Sequence, residues 1–477
     1  MRFSIRLIGL VSTLILLRLL EPADFGLVAI VTAIAAAIEL FRAFGLEIAL
    51  IQDQDSGKAE YDTVWTMEII MGAAAGVVMA LIAQPAARFY EEPRLAVLFY
   101  VMAAANFLDG FRNVGIVDFR KDLFFAREFR FNVAIKVIGF VTTITSAFIL
   151  RSYWALIIGI VSTKLAGLVL SYLMHSYRPA FSLVAIGKLF HFSKWMFVNN
   201  LSIVSRIRGP DFILGKLAGA SGLGIYSVAY EISNLPTSEL IAPINRALLP
   251  GFSKIASDPQ RARGAFVKAA AVMALFSMPI AFGVAATAPL IGSVVLGVKW
   301  LAAVPLMQLL ALAGVVAALG SPIMSALIAL GRPHVAALLS LANAVTVIPF
   351  AVYFGMDRGA LGVAQAVLLV AVIFLPIYFA VAIRFMHLVF NDILTILLRP
   401  TIAAVVMYWV VLHSLDITTV AIANLFLAIA TGALVYPAVI FATWKIMPES
   451  PISAESFLLE RYRQRRLARS LVEPSVP

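Results

Sequence analysis

Long apolar stretches separated by short polar segments run the whole length of the chain. They fall near residues 4–20, 24–48, 62–84, 95–117, 130–150, 153–175, 190–215, 223–249, 265–296, 301–330, 334–354, 360–383, 394–413 and 418–444. A helix that crosses the hydrocarbon core of a bilayer needs about 20 mainly apolar residues, and most of these stretches have that length. Their apolar residues are continuous, whereas strands of a membrane barrel alternate every second residue, so strands are not expected. Most gaps are only a few residues long, which makes neighbouring helices antiparallel. The pattern predicts an all-α, polytopic membrane protein with about 14 transmembrane helices and no soluble domain between them.

Composition agrees. Of 477 residues, 62% are hydrophobic and 13% charged, against about 25% charged in a soluble domain. A disordered chain, a nucleic-acid-binding domain and an ordinary cytosolic enzyme are disfavoured. The net charge of +11 has two readings, a nucleic-acid footprint or the basic excess of cytoplasmic loops. With the N-terminus placed inside and the sides alternated, 23 of the 37 Lys and Arg fall on the cytoplasmic side, nine opposite and five within helices. That bias favours the second reading and places both termini in the cytoplasm. The stretch near residue 4 is expected to be a retained first helix, because no small-residue cleavage site follows Arg18. The absence of cysteine removes disulfides, thiolate zinc sites and thiol catalysis.

A weak internal repeat spans the chain. Leu19-Leu20-Glu21-Pro22-Ala23-Asp24-Phe25-Gly26-Leu27 can be laid over Leu217-Ala218-Gly219-Ala220-Ser221-Gly222-Leu223-Gly224-Ile225, an offset of 198 residues. An even number of helices per repeat gives parallel repeats about an axis along the membrane normal. The expected organisation is two pseudo-symmetric six-helix lobes, 1–176 and 177–386, two further helices in 387–446, and a basic cytoplasmic tail, 447–477.

The run Arg18-Leu19-Leu20-Glu21-Pro22-Ala23-Asp24-Phe25-Gly26-Leu27, with Phe44-Gly45-Leu46 and Ala49-Leu50-Ile51-Gln52, resembles the opening of polysaccharide-biosynthesis flippases. A second signature is similar to theirs: Asp211-Phe212-Ile213-Leu214-Gly215-Lys216-Leu217, then Leu223-Gly224-Ile225-Tyr226-Ser227-Val228-Ala229-Tyr230, Pro236 and Pro250. The family is that of the Wzx-like oligosaccharide flippases, in the multidrug/oligosaccharidyl-lipid/polysaccharide exporter superfamily. The resemblance covers essentially the whole chain and departs in the short N-terminus. It implies movement of an undecaprenyl-pyrophosphate-linked oligosaccharide to the outer leaflet of a bacterial inner membrane, for exopolysaccharide, O-antigen or capsule synthesis. It also implies alternating access and a cationic central cavity, with membrane lipids around the protein and a polysaccharide polymerase and export machinery as partners.

Each charge at mid-bilayer costs on the order of 2.5–3.5 kcal/mol, so intramembrane charges must face a partner, a cavity or water. They are Glu39, Arg42, Glu47, Asp109, Arg112, Asp118, Lys136 and Lys164 in the first half, and Arg206, Arg208, Asp211, Lys216, Glu231, Glu239 and Arg246 in the second. Spans after residue 250 are nearly free of charge. Arg42, Arg206, Arg208 and Arg246 are candidate cavity-lining residues for a pyrophosphate, whose oxygens a guanidinium fork holds bidentately. Arg18 and Lys216 are candidates for the outer mouth, and Glu39, Glu231 and Glu239 for coupling-ion carboxylates. The plainer alternative is local pairing: Glu39 with Arg42, and Asp109 with Arg112, are both spaced i,i+3.

Other patterns carry less. Asp53-Gln54-Asp55 reads as an acidic loop, and Gly219-Ala220-Ser221-Gly222-Leu223-Gly224 as a tight turn, since no Walker lysine follows. The five histidines have no metal-ligand spacing, and neither metal nor cofactor is expected. Two rival functions remain, a multidrug cation antiporter of the same superfamily and a membrane polysaccharide polymerase or ligase. The first would want an acidic or apolar cavity, and the second substantial periplasmic loops.

Overall fold

A computed structural model of the chain describes residues 2–39, 46, 50–51, 56–122, 124–186, 208–255, 258–415 and 419–446. Among them no strand occurs, and helices follow one another in order. They are α1 (Arg2–Leu19), α2 (Pro22–Glu39), α3 (Lys58–Phe89), α4 (Arg94–Asp109), α5 (Phe125–Leu150), α6 (Trp154–Met174), α7 (Gly219–Ser253), α8 (Pro259–Leu290), α9 (Ala303–Ala329), α10 (Pro333–Met386), α11 (Phe390–Leu412) and α12 (Ala421–Ile446). Nine of the described helices are long and apolar enough to cross a membrane. The all-α, polytopic architecture follows from composition, since in lipid a helix satisfies every backbone hydrogen bond within itself.

The longest of the nine is two spans. A straight 54-residue helix would reach about 80 Å at 1.5 Å per residue, far beyond a bilayer core. Gly359 breaks it with φ +55° and ψ −131°. A Cβ placed on Gly362 would lie 1.9 Å from the Phe354 carbonyl oxygen, so the chain folds back on itself here. The arms match the predicted stretches 334–354 and 360–383.

The predicted stretch 95–117 is not one straight helix. α4 stops at Asp109, and the chain bends by 74° before residues 114–121. Gly110 permits the close passage, because a Cβ there would meet the Glu68 carbonyl at 2.9 Å. Asn113 then holds the turn, its Oδ1 accepting from the Gly115 amide at 2.9 Å.

The chain divides into two compact units, Met1–Ser227 with Ala351–Val363, and Val228–Phe350 with Ala364–Pro477. In the first, α5 and α6 pack in near-backbone contact through two reciprocal glycine–threonine pairs. A Cβ on Gly139 would meet Thr163 Oγ1 at 2.3 Å, and one on Gly159 would meet Thr143 Oγ1 at 1.8 Å. Asp24 ties the α1–α2 turn to the α5–α6 turn, accepting from the amides of Glu21 at 3.0 Å and Tyr153 at 2.9 Å. The tip of the α10 hairpin also belongs to this unit, and Leu217 lies 2.9 Å from a Cβ placed on Gly355.

An extended segment after α6, residues 175–186, is strapped along the first turns of α3. Side chains of α3 accept its amides: Asp62 from Ala180 at 2.9 Å, Thr66 from Ser182 at 3.0 Å and Thr63 from Ala185 at 3.2 Å. The Tyr177 hydroxyl donates to Asp62, and Phe181 packs on Trp65 with ring centroids 5.0 Å apart. These bonds explain why Asp62, Thr63 and Thr66 are buried in an apolar unit.

In the second unit, Asp258 caps α8 by accepting from Gln260 and Arg261 at 3.0 Å each. Asp392 at the start of α11 holds Arg263 of α8 through two bonds of 2.9 and 3.1 Å. Phe266, Trp300, Ile323 and Ala403 are fully buried there.

Candidate functional site

The intramembrane charges of the first unit converge through tertiary structure. Lys164 lies midway along α6, and its Nζ is 3.3 Å from Glu39 Oε1 at the end of α2 and 3.4 Å from Asp109 Oδ2 at the end of α4. Three helices thus meet on one ammonium. Lys164 and Asp109 are mostly buried, with side-chain exposures of 18% and 16%, whereas Glu39 is open at 43%. An ion pair at this depth meets the requirement that a membrane charge find a partner. The i,i+3 spacings of Glu39 and Asp109 did not disclose this partner, because it comes from another helix.

Residues 208–217 are helical and carry two more candidates. Arg208 Nη1 is 3.1 Å from Asp211 Oδ2, with Arg208 open at 40% and Asp211 buried. Tyr90, just past α3, packs here. Its hydroxyl donates to the Phe212 carbonyl at 3.5 Å, and a Cβ on Gly215 would lie 2.8 Å from its ring. Burial, and then the Asp211 charge, push the Tyr90 phenol up to about 12. Lys216 Nζ is 2.8 Å from Glu91 Oε1 and 5.3 Å from the centre of the Phe89 ring. The hydrogen bond from Lys216, and then its charge, hold the Glu91 carboxyl below the usual carboxylate range.

Arg18 is the last basic residue of α1 and is exposed. Glu231 is exposed on α7. Arg42 and Arg206 lie outside the described residues. Glu239 and Arg246 fall within α7, with side chains outside the described set. Among the described residues, then, Glu39 joins Lys164 and Asp109, Arg208 joins Asp211, and Lys216 joins Glu91. No group of three or more His, Asp or Glu capable of holding a metal ion occurs among them.

Close to these residues segments 19–27 and 217–225 touch. A Cβ on Gly26 of α2 would lie 1.6 Å from the Ala220 carbonyl oxygen, and one on Gly224 of α7 would lie 1.9 Å from that of Pro22. At these two positions the chains pass backbone to backbone, and any side chain would hold them apart.

Long apolar helices and paired charges inside them define a multi-pass membrane protein. The fold is shared with the solved structure titled lipid II flippase MurJ, inward closed conformation. That likeness has a TM-score of 0.70 at 15% identity and covers 93% of this chain and 99% of the other. Residues 15–305 match the family of polysaccharide biosynthesis proteins, and the chain belongs to that family. Among its relatives is the lipopolysaccharide biosynthesis protein WzxC of Escherichia coli (strain K12), 26% identical over 77% of this chain and 75% of the relative. Another is the succinoglycan biosynthesis transport protein ExoT of Rhizobium meliloti (strain 1021), 24% identical over 63% of this chain and 62% of the relative.

Proposed function

We propose that the protein is a flippase of the bacterial inner membrane. It moves a polyprenyl-pyrophosphate-linked oligosaccharide from the inner to the outer leaflet by alternating access between lobes 1–176 and 177–386. The observation that carries this reading is the placement of charge. Most basic residues inside the predicted spans lie before residue 250, and the later spans hold only Lys268 and Arg399. Arginine fits a pyrophosphate by its bidentate fork and permanent charge. In this reading Arg42, Arg206, Arg208 and Arg246 line the cavity, and Arg18 and Lys216 stand at the outer mouth. Glu39, Glu231 and Glu239 are the carboxylates for a coupling ion, and both termini are cytoplasmic. Family membership, and relatives named for lipopolysaccharide synthesis and succinoglycan transport, support it. An inside-negative potential assists outward movement of an anionic headgroup by about 2.3 kcal/mol per charge per 100 mV.

The test is complementation of a deletion strain with Arg42→Ala and with Arg246→Ala. Export is lost while the protein stays in the membrane, and lipid-linked units collect on the cytoplasmic leaflet. Unpolymerised units on the outer leaflet would instead indicate a polymerase. Normal export from both variants would remove the cavity assignment.

A further inference from the structure

A cavity of about 290 Å³ lies within the first unit, between the end of α4, the start of α5 and the middle of α6. Arg112, Arg120 and Lys164 line it together with Asp109, Glu128 and Asn132. Arg120 Nε is 3.1 Å from Glu128 Oε1, and Lys164 reaches Asp109 and, just beyond the wall, Glu39. Three lining cations stand against two lining carboxylates, Asp109 and Glu128, and Glu39, held by Lys164 from outside the cavity, supplies a third. Such a wall has little net field, so a ligand of one sign gains little from it. A ligand bearing both signs gains at both ends, since each charge meets an opposite partner.

The surroundings set the depth. The stretch from Arg120 to Arg130 also carries Lys121 and Arg127. Phe124, Phe125 and Phe129 are exposed among these cations, and the Arg127 guanidinium lies 5.2 Å from the centre of the Phe124 ring. Mixed aromatic and basic residues sit at the headgroup level of a bilayer. Further along α5, exposed Val137, Ile138 and Val141 form an apolar face for acyl chains. The cavity floor is closed by buried Phe119 and Phe131, packed edge to face.

We propose that this cavity seats the headgroup of a phospholipid carrying a primary amine, of the phosphoethanolamine type. Its phosphate faces Arg112 and Arg120, and its ammonium donates to Glu128 and Asn132. A quaternary ammonium has no N–H to donate and is held instead by aromatic cages. The cavity surrounds its amine position with carboxylate and amide, so choline lipids are discriminated against. The site lies inside one unit and does not depend on the transport reading.

The test is thermal unfolding of the purified full-length protein in detergent. Ethanolamine, choline and glycerol phospholipids of one acyl composition are added separately, and inorganic phosphate serves as a fourth probe. The ethanolamine lipid alone raises the unfolding temperature. Glu128→Gln raises the lipid concentration at half-maximal shift by roughly tenfold, the share of one charge-assisted hydrogen bond. Asn132→Leu, which puts an apolar group at the amine position, abolishes the preference for ethanolamine. An equal shift from the choline lipid, a shift from the glycerol lipid alone, or one matched by free phosphate overturns the proposal. The lipid panel on the unmodified protein decides this even where a variant fails to fold.

Discussion

Gly26 and Gly224 stand at matching positions of the two repeats, 198 residues apart, and each faces the backbone that precedes the other. Gly26 meets the Ala220 carbonyl, Gly224 meets the Pro22 carbonyl, and the same offset carries Pro22 onto Ala220. The contact is thus reciprocal, as a local two-fold relation requires. Replacing either glycine by alanine inserts a methyl where a carbonyl already stands, and each change is expected to destabilise by about 1–3 kcal/mol. The double variant costs less than the sum, because both act on one crossing. Gly264→Ala, in α8 with nothing within 4 Å of its Cβ, is the control and should hold or slightly raise stability. Thermal unfolding in detergent measures all four. A Gly26→Ala protein as stable as the parent would falsify the close crossing.

Lys164→Met removes the ammonium shared by Glu39 and Asp109. Asp109 is mostly buried and loses one of its partners, so its share should dominate, at about 1–3 kcal/mol. Glu39 is 43% exposed and solvent screens it, so its share is small. Adding Asp109→Asn to Lys164→Met should restore part of the loss. Membrane abundance and unfolding temperature report the outcome, and a double variant worse than the single one would contradict it.

The Lys216–Glu91 pair predicts a pH dependence. Glu91 titrates lower in the folded protein than in the unfolded chain. Its contribution is therefore complete above the unfolded value of about 4.3 and disappears as pH falls through the lower folded value. The difference in unfolding temperature between the parent and Glu91→Gln should shrink on acidification, and at neutral pH it should shrink with added salt. A difference that grows as pH falls runs against the pairing.

The strap over α3 predicts a local effect. Burial, and then the bond to Asp62, push the Tyr177 phenol up, so it remains a hydrogen-bond donor at neutral pH. Tyr177→Phe removes a bond to a carboxylate, worth about 1.5–3 kcal/mol, and Asp62→Ala removes that bond together with the one from Ala180. Amide exchange across residues 177–186 should rise in both variants, more in the second, with little change in α11. Unchanged protection would mean the strap is held by something else.

Spans were legible wherever the bilayer imposes a continuous apolar helix. The stretches 153–175 and 301–330 became Trp154–Met174 and Ala303–Ala329, and the gap before residue 360 holds the Gly359 break. The likeness of segments 19–27 and 217–225 marks two stretches that meet through Gly26 and Gly224, whose backbone contacts admit no side chain. The bend after Asp109 was not legible, since Gly110 and Asn113 fall inside the predicted span 95–117 and act through Glu68 and Tyr177, distant in sequence. Nor was the partner of Glu39, because Lys164 is distant in sequence and no local spacing points to it. The strap was also invisible, since nothing in residues 175–186 marks an extended segment as docked. Its polar signal was Asp62, Thr63 and Thr66 at the start of an otherwise apolar helix.

The hairpin tip at Ala351–Val363 belongs to the first unit although its arms belong to the second. During synthesis, more than a hundred residues separate Ser227 from this piece. The first unit therefore stays incomplete until much of the second has emerged from the ribosome. A chain stopped after residue 227 would leave Leu217 and Ala218 without Gly355 and Gly359 beside them. Supplying the two halves as separate polypeptides cut there should give a less protected first half than a cut made beyond residue 363.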